Sequence, residues 1–258
     1  MFVNMLEVYK YREMLKNLVI RDLRTRYKES VLGFLWTLLN PILMLIIYTI
    51  AFKTIMRMDM PNYSVFLFSG LLPWTFLQTV VSTNTSIIVN NSGLVKKIYF
   101  PHEILPLSAT LAGAINYLLC LIALFIAMLY FHIDFTLSLI YFPLILLIEI
   151  IFIQGLSLLF SSINVYFRDV SHIVSILFMA WFYLTPIFYP LSMVPEKYRH
   201  LYELNPMTKM EQSYQAIFYY GQAPEIKGIL ISCAYALASF LLGSFVFNKL
   251  KKKYAEEL

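Results

Sequence analysis

Charge is scarce in this chain: Asp, Glu, Lys and Arg make up 14% of its 258 residues, 60% are hydrophobic, and the mean hydropathy is +0.70. That balance lies outside the range of soluble domains and indicates an integral membrane protein. Cysteine is nearly missing: Cys120 and Cys233 both fall in apolar runs, which argues against a disulfide framework and leaves the redox compartment open. No phosphate loop of the form GxxxxGKS or GxxxxGKT occurs, so this chain has no recognisable means of hydrolysing a nucleotide by itself. CxxC, HExxH and GxSxG are absent as well, and the four histidines, at 102, 132, 172 and 200, are scattered, so neither a metal centre nor an activated nucleophile is indicated. A cleavable signal is not expected, because the first long apolar run starts near Val31 and has the length of a full span. The net charge of +5 does not point to nucleic acid, since the basic residues flank apolar spans, where they meet anionic lipid headgroups.

What is present is a series of long apolar runs, each near the roughly 20 residues needed to cross a bilayer as a helix. Residues 1–30 read as an amphipathic helix: Val8, Tyr11, Leu15 and Leu18 share a face, while Lys10, Arg12, Glu13 and Lys16 take the other. Such a basic helix lies in the membrane interface. Six spans are predicted, over residues 31–52, 63–89, 104–131, 137–165, 173–189 and 228–247, followed by a basic tail at 248–258. The stretch 190–227 mixes prolines, tyrosines and charges without staying apolar long enough to cross, and is read as short interfacial helices or a re-entrant segment. With six spans both termini share one side, which holds 14 Lys and Arg against six on the other; the positive-inside rule makes that side cytoplasmic.

Three features carry candidate chemistry. Glu149 is the one carboxylate within a predicted span, where an ionised group costs about 2.5–3.5 kcal/mol; it is either functional or a hydrogen-bonded carboxyl facing another helix. Aromatic residues gather at the predicted outer side in WFYLTPIFYP, residues 181–190, and in YQAIFYYG, residues 214–221. Trp181, Tyr183, Phe188 and Tyr189 suit either an anchoring belt or a lining on which sugar faces stack. Short charged turns around Lys96 and Arg168, with the N-terminal helix, either hold the topology or dock a cytoplasmic partner.

Taken together and in order, RDLRTRYKESVLGFLWTLLNP (21–41), LVKKIYFPHEILPL (94–107), VYFRDVSH (165–172), TPIFYP (185–190) and LNPMT (204–208) resemble the membrane subunit of type-2 ABC exporters for polysaccharide and polyol phosphate. The resemblance covers nearly the whole chain. It implies an all-α permease of six transmembrane helices, with an N-terminal interfacial helix and short external re-entrant helices between spans five and six. It further implies a homodimer in the bacterial inner membrane that docks two copies of a cytoplasmic P-loop ATPase, so ATP and magnesium belong to the partner and this chain carries no cofactor. Lys96, Lys97, Ile98, Tyr99 and Phe100, with Arg168 and Asp169, would then couple to the ATPase. The substrate class is a glycan or teichoic-acid-like polymer on undecaprenyl diphosphate, with an O-antigen-type glycan favoured. Arg21, Arg24, Arg26 and Lys28 are candidates for meeting the diphosphate, and Trp181, Tyr183, Phe188, Tyr189 and Glu149 for the glycan path. Two rivals stay open: an ion-driven secondary transporter, which would call for internal repeats and buried coupling charges, and a membrane enzyme acting on lipid-linked sugar.

Overall fold

Prolines and glycines decide where the helices of this chain stop and where they touch. A computed structural model describes residues 9–25, 32–55, 57 and 60–258. The first elements are α1 (Arg12–Thr25) and α2 (Trp36–Thr49), which continues as a π-helical turn over Ile50–Ile55. Then come α3 (Tyr63–Thr85), the short α4 (Ile87–Asn90) and α5 (Ser92–Lys97), and α6 (Ile104–Tyr130). Next are α7 (Phe142–Tyr166), α8 (Val170–Tyr183), α9 (Glu196–Glu203) and α10 (Pro206–Phe218). The last are α11 (Ile226–Leu250) and α12 (Tyr254–Glu257). No strand occurs among the described residues, so the predicted all-α class holds.

Among the described residues five helical stretches are long and apolar enough to cross a membrane: Trp36–Lys53, Tyr63–Thr85, Ile104–Tyr130, Leu137–Tyr166 and Ile226–Lys253. The span predicted over residues 173–189 falls short. Its helix, α8, has 14 residues, about 21 Å of rise, and stops at Tyr183. The cause is Pro186, which has no N–H to continue the ladder and keeps Thr185 out of the helical region. The predicted N-terminal helix is described over α1, whose Leu18 is buried with Tyr11, Met14 and Leu15 packed beside it, on the face the spacing had marked.

α3 is the central post. Of its most apolar stretch 83% is buried, against 6% for that of α2. Asn84 near the end of α3 donates to the Pro106 carbonyl at 3.2 Å, to Thr110 Oγ1 at 3.2 Å and to Ser157 Oγ at 2.9 Å, tying α3 to α6 and α7. In an apolar surround such bonds specify helix neighbours that hydrophobicity alone does not. α7 and α11 meet backbone to backbone: a Cβ on Gly155 would lie 2.4 Å from the Phe240 nitrogen, and one on Gly243 2.1 Å from the Gly155 carbonyl oxygen. Ser239 donates to the Phe152 carbonyl at 3.1 Å and Tyr166 to the Leu250 carbonyl at 2.9 Å, so the two helices run parallel.

Among the described residues two apolar cores result. The larger joins α3, α6, α7 and α10, with α8 against it through Val174 and Phe178. The smaller lies at the end where α1, α5 and α12 meet, and contains Leu18, Val95, Phe100, Ile104, Val165, Phe247 and Tyr254.

Candidate functional site

At the end built on the smaller core, the loop between α5 and α6 splits its residues between two faces. Phe100 is buried, whereas Lys96, Lys97, Ile98 and Tyr99 are exposed, Tyr99 to 93%. An aromatic ring so uncovered beside two lysines is unusual for a turn that only reverses the chain, and suits a docking surface. Tyr11, just ahead of α1, donates to the Tyr99 carbonyl at 3.3 Å, and Arg21 Nη2 of α1 donates to Asn91 Oδ1 at 3.1 Å. Arg24 is exposed at the end of α1, and Arg26 and Lys28 lie outside the described residues. The turn between α7 and α8 carries exposed Phe167, Arg168 and Asp169 on the same end of the bundle. Behind the α5–α6 loop, Glu103 pairs with Lys251 Nζ, and burial lowers the pKa of His102 next to them.

Deeper in the bundle, Glu149 of α7 is fully buried and accepts a hydrogen bond from the Tyr214 hydroxyl of α10. Glu211, one turn before Tyr214, is equally buried, and neither of its oxygens has a hydrogen-bond partner among the described residues. Gly70 of α3 makes room for it, since a Cβ there would sit 3.1 Å from Glu211 Oε2. Glu149 remains the one carboxylate within a predicted span, but it is not the only one buried in the bundle, since Glu211 from the stretch 190–227 is buried as well. The sequence reasoning missed Glu211 because residues 190–227 look interfacial. One signal was available: Met207, Met210, Tyr214, Ile217 and Phe218 repeat at three and four, and Glu211 falls on that same face.

Tyr117 of α6 stands between this pair and a cleft of about 400 Å³ lined by α2, α3 and α6. The cleft mixes Asn40, Thr75, Thr79 and Asn116 with Trp36, Phe68 and Tyr117. Amide and hydroxyl groups among aromatic rings are what a carbohydrate surface requires.

The predicted aromatic residues do not form one surface. Trp181 donates to Asn205 Oδ1 at 2.7 Å and stacks on Phe178 at 5.6 Å, which makes it part of the packing. Phe188 is buried and stacks on Phe52 at 4.6 Å. Phe188 and Tyr189 do line a hollow of about 450 Å³ with Tyr198 and Tyr202, where Tyr189 bonds the Tyr202 hydroxyl at 2.9 Å. Tyr183, 65% exposed, joins them through the bond from Tyr189 to its carbonyl. Among the described residues no three His, Cys, Asp or Glu side chains gather as a metal site.

Residues 13–219 match the family described as ABC-2 type transporter. The chain is 37% identical over 255 residues to the O-antigen export system permease protein RfbA of Myxococcus xanthus, covering 98% of each. It is 36% identical over 241 residues to the protein of that name in Klebsiella pneumoniae, covering 92% of each. It is 29% identical over 211 residues to the polysialic acid transport protein KpsM of Escherichia coli, covering 78% of this chain and 79% of that protein. Agreement over this length, with helices fit to cross a membrane and an exposed basic and aromatic turn, shows that the chain belongs to the ABC-2 type transporter membrane family.

Proposed function

We propose that this chain is the permease subunit of an ATP-driven exporter that moves a lipid-linked polysaccharide of O-antigen type across the bacterial inner membrane. The observation that carries this reading is the end-to-end similarity to permeases named for O-antigen export. Transport of a glycan on undecaprenyl diphosphate fits the cationic stretch Arg21, Arg24, Arg26 and Lys28 ahead of the first span, because a guanidinium fork meets phosphate oxygens in two places. ATP hydrolysis falls to a separate cytoplasmic P-loop subunit. Lys96, Lys97, Ile98, Tyr99, Arg168 and Asp169 form its contact, with Tyr99 as the aromatic anchor, while the buried Phe100 holds the loop to the bundle behind it.

Helix direction supports the reading of six crossings. α7 and α11 run parallel, so the chain between Tyr166 and Ile226 must return across the membrane once, and α8 with residues 184–190 supplies the passage. The chain then bends inward, as Tyr235 donating to the Leu204 carbonyl at 2.9 Å supports, and outward again along α10, whose neighbour Tyr219 donates to the Pro61 carbonyl at 2.6 Å. This is a re-entrant pair on the outer side. α2 and α8 present uncovered apolar faces, with Ile47 and Ile176 both 63% exposed, which fits a seam between two copies and a glycan path along it.

The test is to purify the tagged chain from its native membrane, identify a copurifying P-loop protein, and measure glycan on the outer face after ATP depletion and, separately, after collapse of ion gradients. Loss of export on ATP depletion alone is the expected result. Export that persists without ATP and stops with the ion gradient would establish a secondary transporter instead.

A further inference from the structure

The loop that faces the ATPase in this reading is held from behind by the C-terminal segment. Glu103 is 4% exposed, and its Oε1 takes Lys251 Nζ, while its Oε2 has no partner among the described residues. Tyr254 is fully buried, its ring edge-on to Phe247 at 5.7 Å and 5.8 Å from the His102 ring. His102 in turn meets Phe100 edge-on at 5.3 Å. An unbroken line of contact therefore runs from Phe100 through His102 and Tyr254 to Phe247 on α11, with the ion pair alongside. The Gly155–Gly243 contact continues it into α7.

This line answers a mechanical need. The loop is covalently joined to α6 at Ile104, so a push on Tyr99 reaches α6 directly. α11 lies far along the chain and meets the loop through Lys251 and Tyr254. That contact gives the loop a route to the α7–α11 pair beside the one that runs through α6.

Resting on the exporter reading above, we propose that Lys251 and Tyr254 are positioning residues that fix the α5–α6 loop to α11, so that one displacement of the loop moves α6, α7 and α11 together. The C-terminal segment is a transmission element of the permease. Glu103 is the counterpart of Lys251, and its burial makes the pair sensitive to charge reversal.

The test uses the full complex with its copurified ATPase in lipid membranes, comparing Lys251→Glu, Glu103→Lys, the exchanged pair carrying both, Tyr254→Phe and Tyr254→Ala. Three quantities are read: ATPase retained, ATP hydrolysed, and glycan delivered. Each single reversal should lower delivery about tenfold while the ATPase stays bound and hydrolysis changes by less than about twofold. The exchanged pair should recover most of the delivery, and Tyr254→Phe, which keeps the ring, should deliver normally where Tyr254→Ala does not. Full delivery by either single reversal, or loss that the exchange fails to restore, overturns the proposal. So does detachment of the ATPase by the single reversals, which would make the segment a docking element. If the reversed chains fail to accumulate, the two Tyr254 variants decide. Absence of any P-loop protein with the unsubstituted chain is a different result: it removes the exporter reading, and this inference with it.

Discussion

Glu149 and Glu211 reach the same buried place from helices of very different character, and what each contributes can be separated by substitution. The bond from Tyr214 needs an oxygen at position 149 and does not need a charge. Glu149→Gln should therefore leave the melting temperature in detergent nearly unchanged. Glu149→Leu strands the Tyr214 hydroxyl and should cost about 1–3 kcal/mol. Equal damage by Gln and Leu would show that the carboxyl itself is required. Glu211 makes no hydrogen bond among the described residues, so Glu211→Met should be neutral or stabilising by roughly 1 kcal/mol. If that variant melts normally yet delivers less glycan, Glu211 serves transport and not the fold. Glu149 could be picked out in the sequence because everything around it is apolar. Glu211 was hidden by Lys209 and Gln212 on the other side of the helix and by Gln215 on its own face, which together drown the apolar repeat.

At the level of elements, the α7–α11 joint depends on two residues without side chains. Gly155→Val would force Cγ atoms into the Phe240 backbone, and an overpacked joint of this kind costs about 1–3 kcal/mol or more. A fall in melting temperature and in recovered complex should follow, while a glycine in a looser setting, Gly93, should accept alanine freely because nothing lies within 4 Å of its Cβ position. The α5–α6 loop carries a pH signature. Burial lowers the His102 pKa from its ordinary value of about 6.5, Lys251 pushes the same way and Glu103 opposes. A lowered imidazole pKa means that the unfolded chain takes up a proton before the folded one does. Stability is therefore full above about pH 6.5 and is lost as pH falls from there toward the folded-state pKa. Melting curves across that window should show the loss, and His102→Asn should remove it. α8 shows how far helix boundaries could be read: its apolar content runs on through Ile187 and Phe188, but Pro186 ends the helix at Tyr183, and apolar composition alone does not register a missing N–H.

For the molecule as a whole, the long helices were legible because each apolar run has a bilayer's length, and the family emerged from the order of short motifs around them. What escaped is which helix stands in the middle. α2 and α3 look alike in hydropathy, yet α3 is surrounded while α2 packs along one side only, and only the packing distinguishes them. Six crossings predict that Phe167 and Ala223, both exposed, lie on opposite sides of the membrane. Cysteines introduced singly at these positions, in a chain carrying Cys120→Ser and Cys233→Ser, should react with an impermeant thiol reagent from the outside at 223 and from the cytoplasm at 167. Reaction of both from one side would mean that α8 does not carry the chain across. The parallel joint of α7 and α11 also sets a schedule for making the protein. The partners Tyr166 and Leu250 are 84 residues apart, so at about 5–20 residues per second the ribosome takes roughly 4–17 s to supply the second after the first. For most of that interval Ser239, Phe240 and Gly243, which fill the glycine notch of α7, have not yet been made, so the joint closes late in synthesis.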